Sequence, residues 1–485
     1  MSLDGALGFP LAIVAGLLAL AATIERLAAD RSRAVPFAAA GLAAGCATCF
    51  SLTSTDLTAA AMWASLAAIA AWLACRTDPR ATRTGGRGIA AFALVCLIGD
   101  AAVVLSSAIA NPAIVQPVLF IAFCARGRVV PMNGFGIELS RLPGASYVLG
   151  SMLAQIGGIG YLIRAVVGHD APTGTGLVIA VLAVLVALAA SLLARRFRMA
   201  VDVGIGVELA LVAAGLSLGS PVGVVGAILV AFGSIPAWAA IALAADSAHP
   251  HGAQTRRVPG ALGVLPGAIG LFCTLGIPPS AAFLGRWFLL LALIEAAEPG
   301  VLVIVVCAPI VIAAAIVRHA SGLALPRDAN KPSERVAVTA ALLWIPLVLG
   351  ILPAIALIIG PVGDAAAAAF PSVAWDLGYD RLFGVPGALA LALTCAIPLG
   401  GIALARARDI GLARRSIALW RDVAPGGGSE IGRNLVLQGL PWIFARPLLI
   451  AAGDAIARPL ASLERVPAHV LIVMLLGVLA ILATW

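Results

Sequence analysis

Lysine is all but missing from this chain: of its 31 basic residues only Lys331 is a lysine, and the rest are arginines. Charge of either sign is scarce, at 11% of residues, and histidine is limited to five. Set against 62% hydrophobic residues and a mean hydropathy of +1.07, this excludes a soluble globular domain. No glycine-rich phosphate loop or dinucleotide fingerprint opens a strand-helix unit, so no redox cofactor is expected on the chain. The CATC pair, Cys46 and Cys49, has no second pair in register, so no metal site is expected either. The eight cysteines fall mostly inside apolar runs and read as small packing residues.

What is present is apolar sequence in long runs. Stretches of roughly 17–25 residues, enough to cross a bilayer about 30 Å thick, recur from end to end with short polar joints, about fourteen in all. They are too long for barrel strands, and only helices or closed barrels satisfy their backbone in lipid. The expected fold is all-α, a polytopic transmembrane bundle. The opening MSLDGALGFPLAIV has no basic n-region and reads as a retained first span.

The net charge of +8 would suit nucleic acid, but its distribution argues against that partner. Arg76, Arg80, Arg83 and Arg87 share one joint, Arg195, Arg196 and Arg198 another, and Arg256 and Arg257 a third. The joints near Asp56, Asp170 and Ser220 carry no basic residue, which is a positive-inside pattern with the N-terminus outside. Simple alternation then leaves the Arg-rich stretch 405–465 on the wrong side. One crossing between 260 and 318 must be miscounted, and the segment TLGIPPSAAFLGRWF, broken at Pro278 and Pro279, is the suspect.

Ionisable residues inside spans cost roughly 2.5–3.5 kcal/mol on insertion scales and so mark function by default. Asp100 and Glu208 lie near the middles of their spans. Asp202, Arg164 and Arg286 lie nearer the ends, within reach of the interface or a water-filled cleft. A carboxylate able to exchange protons near neutral pH suits a relay, whereas one fixed by hydrogen bonds only sets helix packing. Spacing alone supplies neither acid with a partner base. No span contains a lysine, and the histidines fall in joints or at a span's start. Arginine does not release its proton in a protein, so the interior lacks the usual proton-carrying bases.

Several stretches, in consistent order over residues 34–320, resemble the antiporter-like membrane subunits of respiratory complex I, Mrp-type cation antiporters, and formate hydrogenlyase and related energy-converting hydrogenases. The break P-P-x-x-G-F-x-x-(K/E)-W/F is matched by Pro278, Pro279, Phe283 and Trp287, with Ala282 for the glycine and Arg286 for the acid or lysine. TDLTAAAMWASLAAIAAWL keeps the tryptophan of a W-E pair at Trp63 and has Ala64 for the glutamate. LFIAFCARGRVVPMNGF keeps Pro131, with Arg126 at a lysine place and Asn133 at a histidine place. GSMLAQIGGIGYLIRAVVG keeps Gly157 and Arg164, with Gln155 at or next to another lysine. LARRFRMAVDVGIGVELALVAAGL keeps Arg196, Arg198 and Ala200, with Asp202 and Val203 for serines; an H-x-x-x-K pair falls on Ser234 and Trp238.

The resemblance implies an antiporter-like, inverted-repeat core with broken helices, moving protons along a central line of glutamate, lysines and histidine. The substitutions strike that line and spare the scaffold. The expected layout is an N-terminal span and basic loop (1–33), the core (34–320), further spans (321–405), an Arg-rich amphipathic segment along the cytoplasmic face (406–465) and an anchor helix (466–485). The expected role is a non-redox membrane subunit of a complex I-like (NADH-quinone oxidoreductase-like) or hydrogenase-like assembly. It would sit in a prokaryotic inner membrane, beside other membrane subunits, lipid and a peripheral redox module, with proton translocation lost or altered. The alternative is an active proton- or cation-translocating subunit of an Mrp-type antiporter or ion-uptake complex. The path candidates are Asp100, Glu208, Asp202, Arg126, Gln155, Arg286 and Arg164.

Overall fold

The computed structural model describes residues 3–29, 31–109, 111–129, 139–167, 174–193, 197–248, 269–320, 352–370 and 378–407, and all regular structure among them is helical. In chain order the helices are α1 (Leu3–Ala29), α2 (Arg31–Thr53), α3 (Leu57–Thr77), α4 (Pro79–Ile109) and α5 (Pro112–Gly127). Next comes α6, which joins Gly144–Tyr147, a π turn at Val148–Met152 and Leu153–Val167. The rest are α7 (Gly174–Leu193), α8 (Phe197–Ser217), α9 (Pro221–Ala248), α10 (Ala281–Glu295), α11 (Pro299–Ala320), α12 (Leu352–Ala369), α13 (Tyr379–Phe383) and α14 (Val385–Ala407). Eight of them, α1 to α4, α6, α8, α9 and α14, are long and apolar enough to cross a membrane, and α5, α7 and α11 are shorter apolar helices.

Their ends follow from local chemistry. Asp56 accepts the Ala59 N–H at 2.6 Å to start α3, and Asn111 accepts the Ala113 N–H at 3.0 Å to start α5 with Pro112 in its first turn. Helix α5 stops at Gly127 because Arg128 turns left-handed, with φ 52°. Helix α12 carries Pro361 inside it and is sustained to its end by the alanine run 365–369.

Sequential neighbours pack in order from α1 to α4, while α5 packs on α6, α8 on α9, and α11 on α14. The apolar windows of α6 and α9 are buried along their whole length, so these two helices form the centre. Small residues permit this: a Cβ on Gly158 would meet Arg126 Cβ at 3.2 Å and Gly127 N at 3.3 Å, so α5 lies directly on α6.

Around Pro278 and Pro279, residues 269–295 form one interrupted helical run. Residues 269–274 are helical, 275–280 are not, and Ser280 caps α10 by accepting the Phe283 N–H at 3.2 Å. Gly276, at φ 67°, makes the turn, and the Pro278-Pro279 peptide is cis. Gly270 abuts Ala237 and Ile241 of α9, Ala282 abuts Gly233, and Leu289 abuts Gly226. Both halves therefore run antiparallel to α9 in a single direction. A hydropathy reading divides them because the proline pair interrupts the apolar run. Beyond the break, Trp287 Nε1 donates to Gly387 O at 2.9 Å and Arg381 pairs with Glu295, which ties α13 and α14 to α10. The stretch beyond residue 407, with the expected amphipathic segment and anchor, lies outside the described residues.

Candidate functional site

The acids of the membrane interior each meet an arginine. Asp100, on α4, is fully buried, and Arg126, at the end of α5, grips it with both faces of its fork: Nε donates to Oδ1 at 2.8 Å and Nη2 donates to Oδ2. Tyr161 of α6 adds its hydroxyl to Oδ1 at 2.7 Å, and Ser65 of α3 adds its own to Oδ2 at 3.0 Å. Four donors from three neighbouring helices thus converge on one carboxylate. The Tyr161 ring also lies 5.8 Å from the Arg126 guanidinium.

The second pair joins Glu208 of α8 to Arg286 of α10 across the helix break. Arg286 is 2% exposed, so it turns into the bundle and does not snorkel to an interface. Its Nη2 also donates to Thr274 O at 2.7 Å, a carbonyl freed where the first half of the broken helix stops. The arginine therefore pairs with an acid and caps a helix end with the same nitrogen.

The third pair was not anticipated. Arg128, turned back by its left-handed backbone, pairs with Asp202 at the start of α8, and Tyr147 donates its hydroxyl to the same carboxylate oxygen at 2.6 Å. One residue earlier, Ser146 Oγ donates to Asp78 Oδ2 at 3.0 Å, and Arg26 lies 3.6 Å from the other oxygen of Asp78. The start of α6, just before its π turn, is thus clasped from two sides by acids. Tyr147→Phe is expected to lower stability by about 1.5–3 kcal/mol, the worth of a hydrogen bond to a charged group. Denaturant unfolding of the purified protein checks this.

Arg164 is buried and donates to Ser51 O at 2.8 Å and Ser54 O at 2.7 Å, which caps the end of α2. Its expected access to an interface or cleft is not what its surroundings provide. Asp202 keeps a little exposure, in line with its place near a span's end. Gln155 is buried on α6 with Oε1 unpartnered. Pro278 and Pro279 form the break itself. Asn133 lies outside the described residues. Among the described residues no three His, Cys, Asp or Glu side chains group as a metal site.

No family model and no curated protein matches the sequence. Solved structures do. A chain of respiratory complex I from Thermus thermophilus with bound NADH superposes with a TM-score of 0.60 at 18% identity, over 74% of this chain and 85% of that one. A chain of the Mrp complex from Dietzia sp. DQ12-45-1b superposes with a TM-score of 0.53 at 16% identity, over 77% of this chain and 98% of that one. The chain has the antiporter-like membrane-subunit fold.

Ala64 is buried on α3, and its neighbour Ser65 reaches Asp100 of α4. Ser234 and Trp238 are buried on α9. Gly204 of α8 has no Cβ because the Trp238 ring occupies that space, closer than 3.0 Å to where the atom would be. The Trp238 ring fills the room beside α8 at that level.

Proposed function

We propose that this chain is a membrane subunit of a multi-subunit respiratory assembly of the complex I or hydrogenase type, serving as a scaffold whose own proton path is closed. The carrying observation is that Asp100 and Glu208 are each held by an arginine inside the bundle. A guanidinium cannot hand on its proton, and the four donors on Asp100 occupy both of its carboxylate oxygens. The pairs act as fixed charges that lock helices together. Partners would be neighbouring membrane subunits and a peripheral redox module in a prokaryotic inner membrane.

Two further features support a subunit embedded in lipid. Large apolar side chains face outward around the bundle, among them Leu105, Val385 and Leu399. Counting 269–295 as one crossing instead of two also reverses every later alternation. The Arg-rich stretch after 405 then falls on the same side as the basic joint at 76–87, which satisfies the positive-inside rule along the whole chain.

A second reading, an active proton- or cation-translocating subunit, is favoured by the incomplete coordination of Glu208, one of whose oxygens has no partner. The two separate in reconstituted vesicles carrying the purified assembly. With Asp100→Asn or Glu208→Gln, scored per assembled complex, proton translocation per turnover is expected to stay at its wild-type value. Loss of translocation in either variant, at unchanged assembly, rejects the scaffold reading for the second.

A further inference from the structure

The two central ion pairs differ in completeness. Asp100 accepts two hydrogen bonds on each oxygen. Glu208 accepts Arg286 on Oε1, while its Oε2 is buried without a partner. Around it, Arg286 Nε and Nη1 and Trp238 Nε1 are buried without acceptors. Ser234 Oγ stands close enough to Glu208 to interact with its carboxylate, but not in the geometry of a full hydrogen bond. Orphaned donors and an orphaned acceptor gathered in one place are a pattern that bound water resolves.

There is room for it. A cavity of about 10 Å³ is lined by Gly204, Glu208, Trp238, Thr274, Arg286 and Ile312, among others. That is about the space one water needs. Charge selects the same ligand: an anion would face the Glu208 carboxylate, a cation would face the Arg286 guanidinium, and the pair together is neutral. A neutral molecule that both donates and accepts suits three N–H groups and one carboxylate oxygen.

We propose that this cavity binds a single ordered water, which accepts from Trp238 Nε1 and Arg286 and donates to Glu208 Oε2. Trp238 is the residue that holds it in place. The chain supplies its own control. A second cavity, also about 10 Å³, lies between Thr48, Ala68, Trp72, Phe92, Cys96 and Arg126, among others; its lining is mostly apolar, and the Arg126 fork there is already engaged by Asp100. Cavities of that kind stay dry.

A high-resolution experimental map of the full chain in lipid nanodiscs tests this without any substitution. One density peak is expected within hydrogen-bond reach of both Trp238 Nε1 and Glu208 Oε2, with none in the second cavity. An empty Glu208 cavity, equal density in both, or a peak that strengthens when chloride is exchanged for bromide overturns the assignment. In Trp238→Phe, which removes the N–H and keeps most of the ring, the peak is expected to vanish while Glu208 still meets Arg286. A peak unchanged in that variant shows that Trp238 does not hold it and overturns the site as drawn. The readout is density and not translocation, so its failure is separate from failure of the scaffold reading.

Discussion

Arg126→Met is expected to destabilise the protein by about 3–5 kcal/mol, because it strands a charge and removes two of its four donors. Asp100 has no exposed surface through which water could replace the lost guanidinium. Tyr161 and Ser65 would remain, and two neutral hydroxyls do not balance a buried carboxylate. Asp100→Asn in the same background removes the stranded charge. Its amide oxygen can still accept from Tyr161 and its amide nitrogen can donate to Ser65. The double variant is therefore expected within about 1–2 kcal/mol of wild type, since a buried ion pair replaced as a unit costs little. Unfolding of the two singles and the double in one detergent gives the coupling directly. An Arg126→Met protein as stable as wild type would mean that the pair does not hold the interior together, and the fixed-charge account would fail.

The sequence announced the acids but not what holds them. Asp100 and Glu208 are conspicuous because each sits alone in a long apolar run. Their arginines lie 26 and 78 positions away, and which helices touch is decided by packing that no local period encodes. Arg128 follows a helix end and, beside Arg126, reads as joint. The glycine before it was a usable signal, since a helix that stops there can turn its next residue back toward the bundle. The tyrosines were a second unused signal. The chain has only three, and a hydroxyl inside a membrane needs an acceptor, so Tyr147 and Tyr161 pointed to buried acids. Helix existence was legible throughout, because apolar length is a strong and local property. The number of crossings between 260 and 318 was not, because continuity across Pro278-Pro279 depends on what α9 does alongside.

Gly233→Ala and Gly285→Ala together are expected to cost roughly 2–6 kcal/mol, the sum of two overpacking penalties against a surface that cannot yield. A Cβ on Gly233 would fall within 3.0 Å of Ala282 N, and one on Gly285 within 3.0 Å of Val230 N. Both obstacles are backbone, so no rotamer change relieves them. Gly226 meets the backbone of Leu289 in the same way, one turn further along. The three glycines form a seam that lets α9 and the second half of the broken helix touch chain to chain, as small residues do between membrane helices. Prying the seam apart moves Arg286, the residue after Gly285, away from Glu208 on α8. The loss should therefore exceed that of a glycine-to-alanine change on an open face. Gly206 provides the comparison, because a Cβ there meets nothing within 4 Å, and Gly206→Ala is expected to be neutral or stabilising by up to about 1 kcal/mol from helix propensity. Unfolding midpoints of the seam variant and Gly206→Ala, measured side by side, decide it. Equal tolerance at the two places would mean that α10 is not docked along α9, and the single interrupted crossing on which the positive-inside alternation depends would have to be given up.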